Sequence, residues 1–307
     1  MLRYTYLSKY PKVFQAMTGL RVAEFNQLVE DVLPSYEQAE LKRLSRAKRQ
    51  RAIGGGHRFE LDARDQILLT VIWLRKYPTQ AVLGYLLGVS EPTVLRYIVR
   101  VLPMLEASGR DTMRLPDPGR KRRRQLDELL QDTPELAVII DTFEQRVQRP
   151  RHRTEADQYY SGKKKQHTLK SQVAVNELTG EFVDIADSIF GPTADLTVLK
   201  QSDLLSRLPP GVGGLGDLAY VGIDQLHPQG LGATPPRKPR GKPRPAEDVA
   251  YNTAFARRRV LVENSILRLR RYEALSQTDR HHRRHHTARV VAVAGLVNRQ
   301  IRHRLPC

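Results

Sequence analysis

The sequence predicts a mixed α/β protein whose N-terminal part is helical and whose C-terminal part contains a sheet. Apolar residues recur at helical spacing in the first third of the chain. The pattern then changes: residues 136–140 form a continuous apolar run, typical of a buried strand, and residues 168–175 alternate like a strand. Between these parts, residues 120–124 are five consecutive basic residues in a segment with several prolines. We therefore expect a helical domain at 1–105, a basic linker at 106–134 and a sheet-containing domain at 135–307.

The clearest local pattern is a row of three helices. The first covers residues 62–77 on an apolar stripe, and the second covers residues 80–87, where Thr79 is suited to cap the N-terminus. Residues 88–90 form a Gly-containing turn before a third helix, which we expect to end before Pro103. Two helices joined by such a turn are typical of a helix-turn-helix unit.

The third helix carries the candidate DNA-reading face. The side chains expected to face outward are Glu91, Thr93, Arg96 and Arg100, and those expected to pack inward are Val94, Leu95 and Ile98. In a helix-turn-helix, side chains near the start of the second helix reach base edges in the major groove. The alternative is a pair of packed helices with no role in DNA binding, which a neutral chain would favour.

The charge of the chain indicates its partner. The 307 residues include 51 Lys and Arg against 33 Asp and Glu, a net charge of +18. This excess argues against a generic metabolic enzyme and favours a polyanionic partner, nucleic acid. Together with the helix-turn-helix pattern, it favours double-stranded DNA. A membrane surface fits less well, because the positive charge is not confined to one amphipathic helix.

Cysteine and apolar content indicate the compartment. Cys307 is the single cysteine, so no disulfide can form within the chain, which is typical of a reducing compartment. No apolar run approaches the roughly 18 residues that span a bilayer. We expect a cytoplasmic or chromosome-associated protein without a membrane partner.

Three carboxylates are candidates for phosphodiester chemistry. Such chemistry uses two metal ions about 4 Å apart, held by oxygen ligands, and Mg²⁺ and Mn²⁺ prefer these ligands. Asp141 is expected to end the buried strand, and Asp217 follows a glycine-rich segment at 213–216 through which a polyanion would approach closely. Glu263 shares a helical face with residues spaced three and four apart, namely Arg259, Ile266 and Arg270.

Each of these carboxylates also has an ordinary interpretation. A strand-terminal Asp is often a cap, Asp217 suits an Asx turn, and Arg259 with Glu263 suits a surface ion pair. Position alone does not select the three over other acidic residues of this part of the chain, namely Asp184, Asp187, Asp195 and Asp203.

Longer strings of the sequence match the motifs of a known family. The most specific string is residues 159–170. The others are residues 51–58, 73–79, 88–94, 138–142, 148–150, 216–222, 259–264 and 268–271. On these strings, across about residues 14–302, the chain resembles the DDE transposases of bacterial insertion sequences, in the group related to Harbinger-like elements.

The resemblance implies a fold, a site and an activity. It implies an RNase H-like mixed sheet, with Asp141, Asp217 and Glu263 as a catalytic triad that binds two Mg²⁺ or Mn²⁺ ions. The activity implied is cutting at the terminal repeats of the element and joining the freed 3′-OH to target DNA. Two ends must be brought together, so a homodimer is expected. The candidate phosphate contacts are Lys163, Lys164, Lys165, Lys170, Arg259 and Arg270.

The chain also departs from the family pattern. Ala219 stands where the family often has Gly, Ala194 where a His is usual, Ala256 for a Tyr and Arg270 for a Lys. These departures motivate an alternative, a catalytically decayed or domesticated DNA-binding protein. A third hypothesis is an RNase H-like nuclease that acts on RNA–DNA hybrids.

Two further features have simpler interpretations. Residues 281–286 contain four histidines and two arginines, which we interpret as a basic turn facing DNA in preference to a metal site. Trp73 lies on the apolar stripe of its helix and is expected in the core.

Overall fold

The structure is a computed structural model that describes residues 1–45, 59–119 and 126–304. Three features of the sequence analysis lie outside the described residues: the string 51–58, the basic run 120–124 and Cys307.

The N-terminal part is helical, as predicted. Its helices are α1 Tyr4–Leu7, α2 Pro11–Thr18, α3 Val22–Leu44, α4 Ala63–Lys76, α5 Gln80–Leu87 and α6 Glu91–Arg110. The bounds predicted for α5 are confirmed: the Thr79 hydroxyl accepts from the Val82 amide at 3.3 Å, and Gly88 ends the helix at a φ of 66°. Trp73 is buried, as expected for a core residue. Helices α5 and α6 meet at 97°, the angle of a helix-turn-helix.

Helix α6 is longer than predicted. It continues through Pro103 to Arg110, so the expected end before Pro103 is wrong. Pro103 lies on the exposed face beside Val99, which is 49% exposed. Pro103 has no N–H to donate to the Val99 carbonyl, but water can reach this carbonyl on the exposed face. On the opposite face, the buried residues Val101 and Leu105 keep the helix packed against the core.

The C-terminal part is a sheet with helices on both faces. Its strands are β1 Leu136–Arg146, β2 Tyr160–Ser161, β3 Gln166–Asn176, β4 Phe182–Ile185, β5 Ile189–Phe190, β6 Val212–Leu215 and β7 Gly232–Ala233. Its helices are α7 Arg153–Tyr159, α8 Asp195–Gln201, α9 Leu204–Arg207, α10 Ile223–Leu226, α11 Ala246–Arg270, α12 Glu273–Ser276 and α13 His286–Arg302.

The strand order is β2-β3-β1-β6-β7, with β4 and β5 also paired to β3. Strand β1 is antiparallel to β3 and parallel to β6, and β6 is parallel to β7. The sheet is therefore mixed, and the predicted class, a helical helix-turn-helix part followed by an RNase H-like mixed sheet, is confirmed.

The apolar run at residues 136–140 is explained by burial of β1 on both of its faces. Ala137 and Ile139 point into a core shared with the N-terminal helices and α13, whereas Val138 and Ile140 point into a second core under α8, α9 and α10. Both faces of β1 are covered along residues 136–140, so neither set of alternate side chains in this run is polar.

Helix α13 joins the C-terminal part to the helix-turn-helix. It packs on α6 at two glycines, and a Cβ added to Gly295 would overlap the Cα of Gly109. The first of the two cores is consequently continuous between the N-terminal helices and the sheet. The bounds of the domains stay a prediction. Among the described residues, no single helix is long and apolar enough to cross a membrane.

Candidate active site

Asp141, on β1, and Asp217, just after the end of β6, lie near the same level of two neighbouring parallel strands, and the charge of Asp217 acts on Asp141. Ile139 of β1 is level with Leu215 of β6, and each aspartate is two residues beyond its member of this pair. Asp217 begins a short 3₁₀ turn, where its carboxylate accepts from the Ala219 amide at 2.8 Å.

Strand β1 does not end at Asp141, so this part of the prediction is wrong. The strand continues to Arg146 because its antiparallel partner β3 continues with it, and Asp141 lies opposite Val173. Asp141 borders a cleft because β6 ends nearby, and this leaves one edge of β1 without a strand neighbour.

Helix α11 brings a third carboxylate to this cleft. The Arg259 guanidinium lies 3.5 Å from the Asp141 carboxylate, and Glu263 is one turn further along the same face. A cavity of about 350 Å³ is lined by Asp141, Asp195, Glu263, Ile266 and Arg270, among other residues. Asp217 is not part of the described lining of this cavity.

A buried ion pair holds α11 against the sheet. Arg258 is 2% exposed, and its guanidinium donates to both oxygens of Glu177, at 2.6 and 3.0 Å. It also donates to the Thr133 hydroxyl and the Pro134 carbonyl, while Glu177 accepts from the Ala137 amide. Sequence analysis missed this pair, because nothing distinguishes Arg258 from Arg257 and Arg259 on either side of it.

Asp195 is a fourth carboxylate at the site. It accepts from the Lys170 ammonium at 2.6 Å and from the Thr142 hydroxyl at 3.0 Å. Lys170, expected to contact phosphate, is 7% exposed and also donates to the Thr193 carbonyl at 2.5 Å. In this structure Lys170 therefore neutralises Asp195, and its contact with phosphate stays a prediction.

The other predicted lysines lie at the mouth of the cavity. Lys163, Lys164 and Lys165 are exposed in the turn between β2 and β3, and the first two line the cavity with Asp141. Arg270, the last residue of α11, is exposed at the same cavity. Basic side chains thus surround the carboxylates of this cavity. Their positive charge would attract a polyanion to a site that its carboxylates alone would repel.

The electrostatics of the cluster disfavour negative charge on Asp141. The pKa of Asp141 is raised to about 6, chiefly by burial and also by the nearby charges of Asp217 and Asp195. The Thr142 amide and the Arg259 guanidinium oppose this rise in pKa. A bound cation would stabilise the charged carboxylate and reverse the shift.

The donor set suits a hard divalent cation in its chemistry. Asp141 and Asp217 supply carboxylate oxygens, the ligands that Mg²⁺ and Mn²⁺ prefer, and a cation would relieve the repulsion between them. In the described ranges, no three His, Cys, Asp or Glu side chains lie close enough together to hold one ion. The fold therefore brings these two carboxylates near each other without assembling a complete coordination shell.

The glycines before Asp217 do not form an open approach for a polyanion, so that interpretation is wrong. Gly213 to Gly216 are buried. A Cβ on Gly216 would lie 2.5 Å from the Cβ of Tyr220, and one on Gly213 would overlap Pro134. These glycines are needed for close packing.

The outward face of α6 is only partly as predicted. Glu91 and Arg96 are exposed and Thr93 is half-buried. Val94 and Ile98 are buried as expected. Leu95 is 37% exposed, so the prediction that it packs inward is wrong. One residue along a helix turns by about 100°, which takes Leu95 away from the stripe that Val94 and Ile98 share.

Arg100 is half-buried and does not face outward as expected. Its guanidinium lies over the Phe59 ring, 4.3 Å from the centroid, and donates to Gln66 at 3.3 Å. A DNA contact by Arg100 stays a prediction. Tyr85, near the end of α5 that leads into the turn, is 88% exposed. Sequence analysis did not select it as a candidate DNA contact.

The histidine-rich segment 281–286 is not one uniform DNA-facing turn. His286 is buried, and its ring nitrogens pair with Ser188 at 2.7 Å and Gln145 at 2.8 Å. His281 packs edge-on against Trp73. Only part of the segment, including His282 and Arg284, is exposed.

Comparison with known proteins gives the family. Residues 140–298, which contain all three predicted triad carboxylates, match the family model described as DDE superfamily endonuclease. The chain belongs to the DDE superfamily endonucleases. Residues 59–111 match the helix-turn-helix of this same superfamily, which is the unit formed by α5 and α6 together with α4.

A curated relative of this DDE endonuclease covers nearly the whole chain. It is described as "Probable transposase for insertion sequence element IS702" from Microchaete diplosiphon. The two are 28% identical over 288 residues, which is 94% of each chain. No solved structure matches.

Proposed function

We propose that this DDE endonuclease is a transposase that cuts DNA at the ends of an insertion sequence and joins the freed 3′-OH to target DNA. The observation that carries the proposal is that Asp141 and Asp217 each lie two residues beyond a paired position of β1 and β6, while Glu263, on a helix docked on the sheet, lines a cavity with Asp141. The similarity to a protein described as a probable transposase supports it.

In this proposal Asp141, Asp217 and Glu263 are the metal ligands. Two Mg²⁺ or Mn²⁺ ions, when bound, would supply an activated nucleophile and neutralise charge on the attacking and leaving oxygens. Asp141 and Asp217 would be held in place by the sheet and by the amides that they already engage, those of Thr142 and Ala219.

The basic residues around the carboxylates would position the DNA strand. Arg259 lies next to Asp141, so its guanidinium is placed to bind a phosphate oxygen beside the reacting group. Arg270, Lys163 and Lys164 would bind phosphates at the mouth of the cavity. The Lys170–Asp195 pair would hold Thr142, and with it Asp141, in position.

The N-terminal part would select the element ends. We assign DNA recognition to the domain at 1–105, through the exposed start of α6 with Glu91, Thr93 and Arg96 in the major groove. The segment 106–134 would link it to the catalytic domain at 135–307. A homodimer would hold two ends together.

The test is metal-dependent strand cutting. The wild type and Asp141→Ala are incubated with labelled DNA that carries the flanking element ends, with Mg²⁺, with Mn²⁺ and with EDTA. We expect nicking at the ends in either metal, none in EDTA and none by Asp141→Ala. Asp187→Ala, which removes an exposed aspartate outside the cavity, is the matched control and should cut like the wild type.

Two outcomes would contradict the proposal. Cutting by Asp141→Ala at the wild-type rate would remove this residue from the catalytic site. DNA binding by the wild type without cutting in either metal would favour a DNA-binding protein derived from a transposase, which the departures at Ala194, Ala219 and Ala256 would then explain.

A further inference from the structure

A second, larger cavity lies outside the carboxylate site. Its volume is about 1030 Å³, and it is an open cleft lined by the segment after β1, by α7, by β5 and by the segment 279–284. Five arginines line it: Arg149, Arg151, Arg280, Arg283 and Arg284. Its volume lies near the upper end of the range of about 300–1,000 Å³ found for cavities that enclose small ligands.

The charge of this cavity is strongly positive. Its two carboxylates already have partners: Glu155 binds Arg283 at 2.6 Å, and Asp279 binds the buried Arg289. Among the described residues, the other four lining arginines have no carboxylate within 4 Å. The cavity therefore suits an anion with several charges, such as a chain of phosphates.

Two aromatic residues, Phe190 and Tyr159, line the same cavity as these arginines. Phe190 is 41% exposed and is held by β5, which pairs it with Leu169 of β3. Tyr159 supports the Phe190 ring edge-on at 4.9 Å, and the Arg283 guanidinium lies 4.7 Å from the centroid of Tyr159. An exposed ring held by strand pairing, in a cavity that arginines also line, is the combination that binds single-stranded nucleic acid by stacking.

A third cavity connects the cavity of Phe190 to the carboxylate cavity. It has a volume of about 600 Å³ and shares Glu144, Lys164 and Arg270 with the carboxylate cavity. It shares Arg280 with the larger cavity. The third cavity therefore adjoins both of the others, and a strand that leaves the carboxylates has a route to the cavity of Phe190 past Lys164, Arg270 and Arg280.

We propose that the larger cavity binds unpaired nucleotides of the DNA strand next to the cleavage point, with a base stacked on Phe190 and phosphates on the surrounding arginines. The position relative to cleavage rests on the proposed function. A closed duplex cannot offer a base face to Phe190, so the site takes a frayed or single-stranded end.

The test compares binding of two DNA probes to the full-length protein in EDTA, where cutting does not interfere. One probe is a blunt duplex of about 20 base pairs, and the other carries a single-stranded tail of about four thymines. Fluorescence anisotropy should show that the tail increases affinity for the wild type about 5- to 150-fold, the range expected for one stacked base.

Substitutions at Phe190 decide whether stacking is the cause. Phe190→Ala should lose the gain from the tail and bind the blunt duplex like the wild type, and Phe190→Trp should keep the gain. Tyr160→Ala is the matched control: Tyr160 is 46% exposed on β2 but does not line the cavity, so the gain should persist. Thermal melts confirm that each variant is folded.

The outcomes separate the two proposals. Equal affinity for both probes, or a gain that survives Phe190→Ala, overturns the stacking site and leaves the carboxylate site untouched. A wild type that binds neither probe overturns the proposed function and the stacking site with it.

Discussion

Removing the negative charge of Asp141 should stabilise the metal-free protein at alkaline pH. Burial and the neighbouring aspartates raise the pKa of this carboxyl from 3.8 to about 6. Each pKa unit corresponds to about 1.4 kcal/mol, so the ionised carboxylate lowers the free energy of unfolding by about 3 kcal/mol well above pH 6. Asp141→Asn keeps the shape of the side chain and removes this cost.

The pH dependence has a definite sign. The folded state holds the Asp141 proton more tightly than the unfolded state, so it binds more protons between the two pKa values. The stability of the wild type therefore falls as pH rises from about 4 to about 6 and is level above that range. The advantage of Asp141→Asn should be close to zero at about pH 3, about half its full value near pH 5 and complete by about pH 8.

The assay is unfolding of the wild type and Asp141→Asn in EDTA at several pH values. For a chain of 307 residues, about 3 kcal/mol corresponds to a Tm difference of roughly 5 °C. Mg²⁺ should raise the Tm of the wild type more than that of the variant, because a cation needs the charged carboxylate. Asp187→Asn, at an exposed site, should behave like the wild type. A variant that is no more stable than the wild type at pH 8 would refute the electrostatic argument.

Two further predictions concern packing. Gly295→Ala should lower the free energy of unfolding by at least about 1–3 kcal/mol in urea, because its Cβ would overlap Gly109 where α13 meets α6; Gly162→Ala, where a Cβ meets nothing within 4 Å, should be close to neutral. Arg258→Met leaves Glu177 buried without its counter-ion and should cost about 3–5 kcal/mol by the same measurement. The exposed neighbour substitution Arg257→Met is its control, and equal losses at both positions would contradict a structural role for the buried pair.

Local features of the fold were predictable because their causes are local. The bounds of α5 follow from the Thr79 cap and Gly88, and both act within one turn of the helix. The end of α6 was not predictable in this way. Pro103 normally disfavours a helix, but here the buried residues on the opposite side keep the helix docked, and no local pattern reports that packing.

The site shows the same division. Sequence strings selected Asp141, Asp217 and Glu263, and two of them lie at the same level of the sheet while the third lines a cavity with Asp141. Sequence analysis did not anticipate that Lys170 is buried against Asp195. A lysine on an alternating strand looks the same whether it points to solvent or into a cluster of carboxylates.

By itself, the sequence determined the class of fold, the helix-turn-helix and the preference for a polyanionic partner. The fold class and the helix-turn-helix follow from periodicity and capping, which depend on residues close together in the chain. The preference for a polyanion follows from total charge, which is a sum over all residues. Only the tertiary structure decided the level pairing of Asp141 and Asp217, the Arg258–Glu177 anchor and the cavity around Phe190. Each of these joins residues that are far apart in the chain, and their distances depend on how the strands and helices pack.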